Sequence, residues 1–144
     1  VLQSVILTEG PQMVKTPTWH VFRLFRDHQD AQLLQSHIDT KQIGEEEEYM
    51  VPNLSESASM DADGRLQITI GNLSVTESYP VNTHIAGFRA KKASAMILTG
   101  GMRDMNTFDE PDTVRAEAFE VTLADGELSF TVPPCSVLKI TMEQ

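Results

Sequence analysis

Four consecutive glutamates, Glu45-Glu46-Glu47-Glu48, are the first residues whose type and grouping could do chemistry. Paired carboxylates serve as acid, base or nucleophile in glycoside hydrolysis, but they must face one cleft from separate rigid elements, roughly 5–10 Å apart. Four neighbours on an extended segment point alternately to opposite faces and repel one another. They read as a solvated segment or a charged edge strand. His28-Gln29-Asp30 would place two ligand-type side chains on one face of a strand, and with His20 or His37 could sketch a metal site. The spacings match no ligand motif, and the segment follows a helical pattern as a connector would, so hydrogen bonding at a junction is the reading kept. Ser136 has no nearby His or Asp and no nucleophile-elbow glycines. Gly100-Gly101 lacks the phosphate-loop pattern. Asn53-Leu54-Ser55 and Asn72-Leu73-Ser74 match the glycosylation sequon, a pattern common by chance, and Asn72 reads more plainly as a turn residue after a strand. No catalytic, cofactor-binding or metal-ligating residue is assigned on this basis, and no cofactor is expected.

The elements that would position any site change character once, near Asp27–Ala31. Before it, Val1–Thr8 is an apolar run of strand length closed by Glu9-Gly10-Pro11, and Gln12–Thr16 is short and extended. Pro17, flanked by Thr16 and Thr18 as N-cap residues, leads into a helix over Thr18–Arg26. Trp19, Phe22 and Phe25 recur every third position there, a heavy apolar face that needs a surface to bury against. After it, alternation marks strands at Leu66-Ile68-Ile70, Phe119-Val121-Leu123, Leu128-Phe130-Val132 and Val137–Met142, with a further apolar run at Ala95–Thr99. Asp61-Ala62-Asp63-Gly64 and Ala124-Asp125-Gly126-Glu127 each set Asp-Gly between two such runs, a hairpin signal. Short strands about a dozen residues apart, without a long helix, predict an antiparallel sandwich.

Composition bounds the function. The 144 residues are one domain's length, with 40% hydrophobic and 22% charged residues, which excludes a mainly disordered chain. Eleven basic against 21 acidic residues give a net charge of −10, a field that disfavours nucleic acid and anionic membrane surfaces as partners. No apolar run has membrane-spanning length. The sole cysteine, Cys135, excludes an internal disulfide and a Cys-based zinc cage, and is expected to be a packed small side chain in a strand context. The chain starts VLQSVILTEG, without Met or a basic leader, and is expected to begin inside a longer protein.

Several ordered blocks carry a resemblance. Ser4–Thr8, followed by Met13-Val14-Lys15-Thr16-Pro17-Thr18-Trp19-His20-Val21-Phe22 and His28-Gln29-Asp30-Ala31, is similar to the end of the catalytic barrel in family 51 α-L-arabinofuranosidases. Leu98-Thr99-Gly100, Asp104–Phe108 and Glu110–Val114 resemble a long loop of that family's C-terminal domain, and Val132–Val137 is similar to the Pro-Pro-x-Ser-Val tail of many glycoside hydrolases. The resemblance implies a jelly-roll type β-sandwich over residues 28–144, preceded by a strand-loop-helix remnant of a (β/α)8 barrel over residues 1–27. It implies a retaining glycosidase as the parent, cleaving terminal arabinofuranosyl groups from arabinan or arabinoxylan-type substrates. The family's two catalytic glutamates lie in earlier barrel strands and match nothing here, so the fragment alone is expected to be inactive. The implied partners are its own barrel and neighbouring subunits of a homo-oligomer, and residues from the N-terminus of the full enzyme would complete the sandwich. The compartment stays open. The rival reading is a carbohydrate-binding module, with Tyr49, Tyr79 and Phe108 as stacking residues while Phe119 and Phe130 read as core.

Overall fold

The computed structural model describes residues 4–45 and 49–144. The chain enters as a tight antiparallel hairpin of β1 (Ile6–Glu9) and β2 (Gln12–Lys15), turned at Gly10, whose φ of +54° suits a residue without Cβ. The extended segment expected at Gln12–Thr16 is therefore one arm of a ladder. Thr16 closes it, its hydroxyl donating to the carbonyls of Ser4 and Val5 at 2.8 and 2.9 Å. That hydroxyl makes no N-cap bond to the helix, and Pro17 at its start leads into α1 (Pro17–Phe25). A single 3₁₀ turn, Arg26–His28, follows.

The rest is β3 (Gln32–Leu34), β4 (Gln42–Ile43), β5 (Val51–Pro52), β6 (Leu54–Met60), β7 (Leu66–Asn72), β8 (Tyr79–Asn82), β9 (Lys92–Thr99), β10 (Glu117–Phe119), β11 (Thr122–Ala124), β12 (Glu127–Val132) and β13 (Ser136–Glu143). The predicted antiparallel sandwich is present. One sheet runs β10-β9-β13-β7-β6-β3, the other β11-β12-β8, with β4 and β5 paired apart. Both Asp-Gly hairpins form as read. Between β6 and β7, the Asp61 carboxylate accepts the N–H groups of Asp63 and Arg65, each at 2.9 Å. Between β11 and β12, Asp125 and Gly126 have φ of +54° and +88°, the two positive values a type I′ turn requires. Cys135 is the exception. It lies in the turn before β13 rather than in a strand, at φ +48°, with its N–H bonded to the Ser74 carbonyl at 2.9 Å.

Alternation explains the core. Leu138, Ile140 and Met142 of β13 meet Leu128, Phe130 and Val132 of β12 in one buried cluster, as the period-2 pattern requires. Phe119 packs half-buried against it. A second, much smaller cluster joins Leu24 of α1 to Leu98 and Val114. The helix therefore seats itself with Leu24 and His20, while Phe22 stays 65% and Phe25 40% exposed. The sandwich does not supply the surface that the aromatic face calls for. Trp19 is half-buried, with the Lys15 ammonium 4.5 Å above its ring.

Candidate functional site

Two places in the fold have the makings of a site. The first is a cleft of about 780 Å³ between the sheets, lined chiefly by apolar side chains including Leu34, Ile38, Met60, Ile68, Val81 and Phe88. Asp39 and Glu56 are the carboxylates among its lining residues. Among the described residues β8 pairs only with β12 and β3 only with β6, so an open sheet edge borders the cleft from each layer. Protein interiors are close-packed, and apolar space of this size facing two unpaired edges has the character of an unfilled core.

The second is the junction where α1 and the following turn lie on the outer face of the larger sheet. His28 places Nδ1 2.7 Å from the Ser59 hydroxyl and Nε2 2.6 Å from the Thr69 hydroxyl, bridging β6 and β7. Burial and the nearby Lys139 ammonium hold its pKa below the ordinary histidine value, against a smaller opposing effect of Asp27. Beside it, Lys139 of β13 donates to the Asp27 carboxylate, and this hydrogen bond draws the Asp27 pKa below the usual range. His20 is buried. Its Nδ1 accepts the Ala116 N–H at 3.4 Å, and its Nε2 has no partner among the described residues. Burial, then Lys15, lowers its pKa, with Asp112 opposing. Asn106 ties the loop before β10 to the hairpin: its amide donates to the carbonyls of Lys15 and Val114, both at 2.8 Å, and its oxygen accepts the Val114 N–H at 2.7 Å.

The residues singled out from the sequence fall into place around these features without forming a catalytic centre. Glu45 is exposed, and Glu46–Glu48 lie outside the described residues. His28 has the junction role expected of it, whereas Asp30 and His37 are exposed, and no three His, Cys, Asp or Glu side chains among the described residues group as metal ligands. The Ser136 hydroxyl donates to the Pro133 carbonyl at 2.6 Å. Gly100 and Gly101 make room for Asp104, whose carboxylate would stand 3.1 Å from a Cβ at position 101 and accepts the Gly101 N–H at 2.6 Å. Both sequon asparagines are buried with their amides bonded, Asn53 to the Tyr79 hydroxyl and Asn72 to the carbonyls of Glu77, Val132 and Pro133. Of the three stacking candidates, Tyr49 is exposed, Phe108 is half-buried, and Tyr79 spends its hydroxyl on Glu77 and Asn53, with the Glu77 hydrogen bond raising its pKa. The sequence reading missed His20 and Asn106 as fasteners. A buried histidine one residue after Trp19 and an Asn inside a loop motif carry no periodic signal.

A family model described as the α-L-arabinofuranosidase C-terminal domain matches residues 1–136. The chain belongs to that family. This α-L-arabinofuranosidase C-terminal domain is 32% identical to the intracellular exo-α-L-arabinofuranosidase of Bacteroides ovatus, over 99% of the chain and 28% of that protein. Its fold is similar to the family 51 arabinofuranosidase of Xanthomonas axonopodis pv. citri, with a TM-score of 0.90 and 29% identity over 96% of this chain and 28% of that one. It is also similar to the α-L-arabinofuranosidase of Thermotoga maritima, solved with arabinose, with a TM-score of 0.84 and 27% identity over 97% of this chain and 31% of the other. The chain thus spans less than a third of the relatives it matches.

Proposed function

We propose that this domain is the non-catalytic C-terminal part of a retaining α-L-arabinofuranosidase that removes terminal arabinofuranosyl groups from arabinan or arabinoxylan-type chains. The family match along residues 1–136 carries the reading. Within it, residues 1–27 are the end of the catalytic barrel and residues 28–144 the sandwich. The exposed Phe22 and Phe25 support that division, because a helix face of this kind buries against neighbouring barrel helices at about 1.5–3 kcal/mol per large side chain. The open cleft supports the companion proposal that strands from the N-terminal part of the parent fill the sandwich beside β8 and β3. In the isolated 144-residue chain the same surfaces favour contacts between copies.

The test is a chromogenic assay with 4-nitrophenyl α-L-arabinofuranoside, run on the full-length parent and on the 144-residue chain. Turnover by the parent alone is the expected result. Turnover by the isolated chain would overturn the non-catalytic assignment, and silence of the parent would overturn the activity.

A further inference from the structure

Of the four histidines in the chain, the two that are not exposed both fasten the same element. His20 sits inside α1 and His28 in the turn that ends it, and each bonds to a different part of the sandwich: the Ala116 N–H before β10 for the first, the Ser59 and Thr69 hydroxyls of β6 and β7 for the second. The apolar contribution to this seat is much smaller than that of the main core: Leu24 with Leu98 and Val114, and the half-buried Val21, Ala116 and Val137 packed against them. We propose that His20 and His28 form an acid-released clasp: their neutral rings hold α1 and its terminal turn on the larger sheet, and protonation of both loosens that segment while the two sheets stay folded.

The hydrogen bond at His20 requires a neutral ring, and the pair at His28 must rearrange when its ring is protonated. At His20 the bond from Ala116 uses a ring nitrogen as acceptor, which a protonated ring no longer offers. A neutral His28 ring donates through one nitrogen and accepts through the other. Once protonated it donates twice, and the hydroxyl proton that pointed at it must turn away into a half-buried site. Opposing charges face each ring. Around His28 they are Lys139 on β13, which opposes protonation, and Asp27 on the same turn, which favours it less strongly. Phe25 of α1 adds an uncharged wall at 5.8 Å between ring centroids. Around His20 they are Lys15 on β2, opposing, and Asp112 on the loop, favouring. Both rings are displaced downward in the folded chain, so the stability they give is complete above the unfolded histidine pKa of about 6.5 and is lost as pH falls through the lower folded values. The Asp27–Lys139 pair stays charged throughout that window, since Asp27 is displaced below the ordinary carboxylate range.

Hydrogen–deuterium exchange of the 144-residue chain at about pH 7.5 and about pH 5, with each rate divided by the intrinsic rate at that pH, reads the clasp directly. The α1 amides are expected to lose at least about tenfold in protection at the lower pH while those of β13 keep theirs. Combining His20→Gln with His28→Gln, which retains polar groups and removes the titration, should abolish the difference between the two pH values. Equal loss in α1 and β13, no loss in α1, or a wild-type response in the double variant would each overturn the proposal. Ring-proton NMR titration of the unaltered chain decides independently of whether the double variant folds. His20 and His28 should protonate below the ordinary histidine range, and protonation within that range would overturn the clasp.

Discussion

The centre of the larger sheet and the seat of α1 are held by different forces. At β13 the burial is apolar on one face over three alternate residues, Leu138, Ile140 and Met142, all with no exposed surface. At α1 the fully buried apolar residues shrink to Leu24, Leu98 and Val114, with Val21, Ala116 and Val137 half-buried beside them, and polar bonds add to the seat: two histidines and an aspartate–lysine pair. Apolar burial is indifferent to pH in the neutral range, whereas every polar fastener is conditional on a protonation state or an aligned donor. The same chain therefore carries an unconditional core and a conditional attachment.

Removing a large side chain from each region is the strongest way to break that contrast. Leu138→Ala should cost about 2–5 kcal/mol of global stability, and Leu24→Ala about 2 kcal/mol, because the small cluster under α1 can relax and admit water. Both are read from urea unfolding midpoints, and an equal or larger loss for Leu24→Ala would show that the helix belongs to the core. A smaller effect sharpens the comparison. Lys139→Met should remove no more than about 1 kcal/mol, since the Asp27 side chain is 39% exposed and solvent screens the pair. Asp27 is displaced downward, so its contribution is present above the unfolded value near 3.9 and disappears as pH falls through the folded one. Melting temperatures of variant and wild type should therefore differ at about pH 5 and converge in strong acid. The least effect on folding is expected at Phe22→Ser, within about 0.5 kcal/mol for an exposed position. ANS fluorescence of the isolated chain should nevertheless fall. A marked destabilisation would mean that the aromatic face is already covered.

Much of the sandwich was legible because its signals are local. The Asp-Gly turns between β6 and β7 and between β11 and β12 need positive φ at defined positions, and the alternate residues of β12 and β13 need one buried side. The seat of α1 was not legible in the same way. Three-residue spacing drew attention to Trp19, Phe22 and Phe25, yet the chain buries Leu24 and His20, because the side of a helix that suits this sheet need not be its most apolar side. Cys135 looked like a strand residue among apolar neighbours, but Pro133 and Pro134 ahead of it withhold two ladder donors and the backbone turns left-handed there. Little of the candidate site was legible in the sequence. His28 was placed at a junction by its position after the helix, while its partners Ser59 and Thr69 stand 31 and 41 residues away and leave no trace in a local pattern.

The two buried sequon asparagines bear on the choice of host for producing this protein. Their amide nitrogens are spent inside the fold, on Tyr79 for Asn53 and on three carbonyls for Asn72. An oligosaccharyltransferase acting on the nascent chain in a eukaryotic secretory pathway would meet those amides before the fold claims them, and a glycan attached to either one could not be accommodated afterwards. Yield in such a host becomes a race between folding and glycan transfer, one that Asn72→Gln cannot relieve without disturbing the three bonds that fix the approach to β13. Cytosolic expression avoids the race altogether.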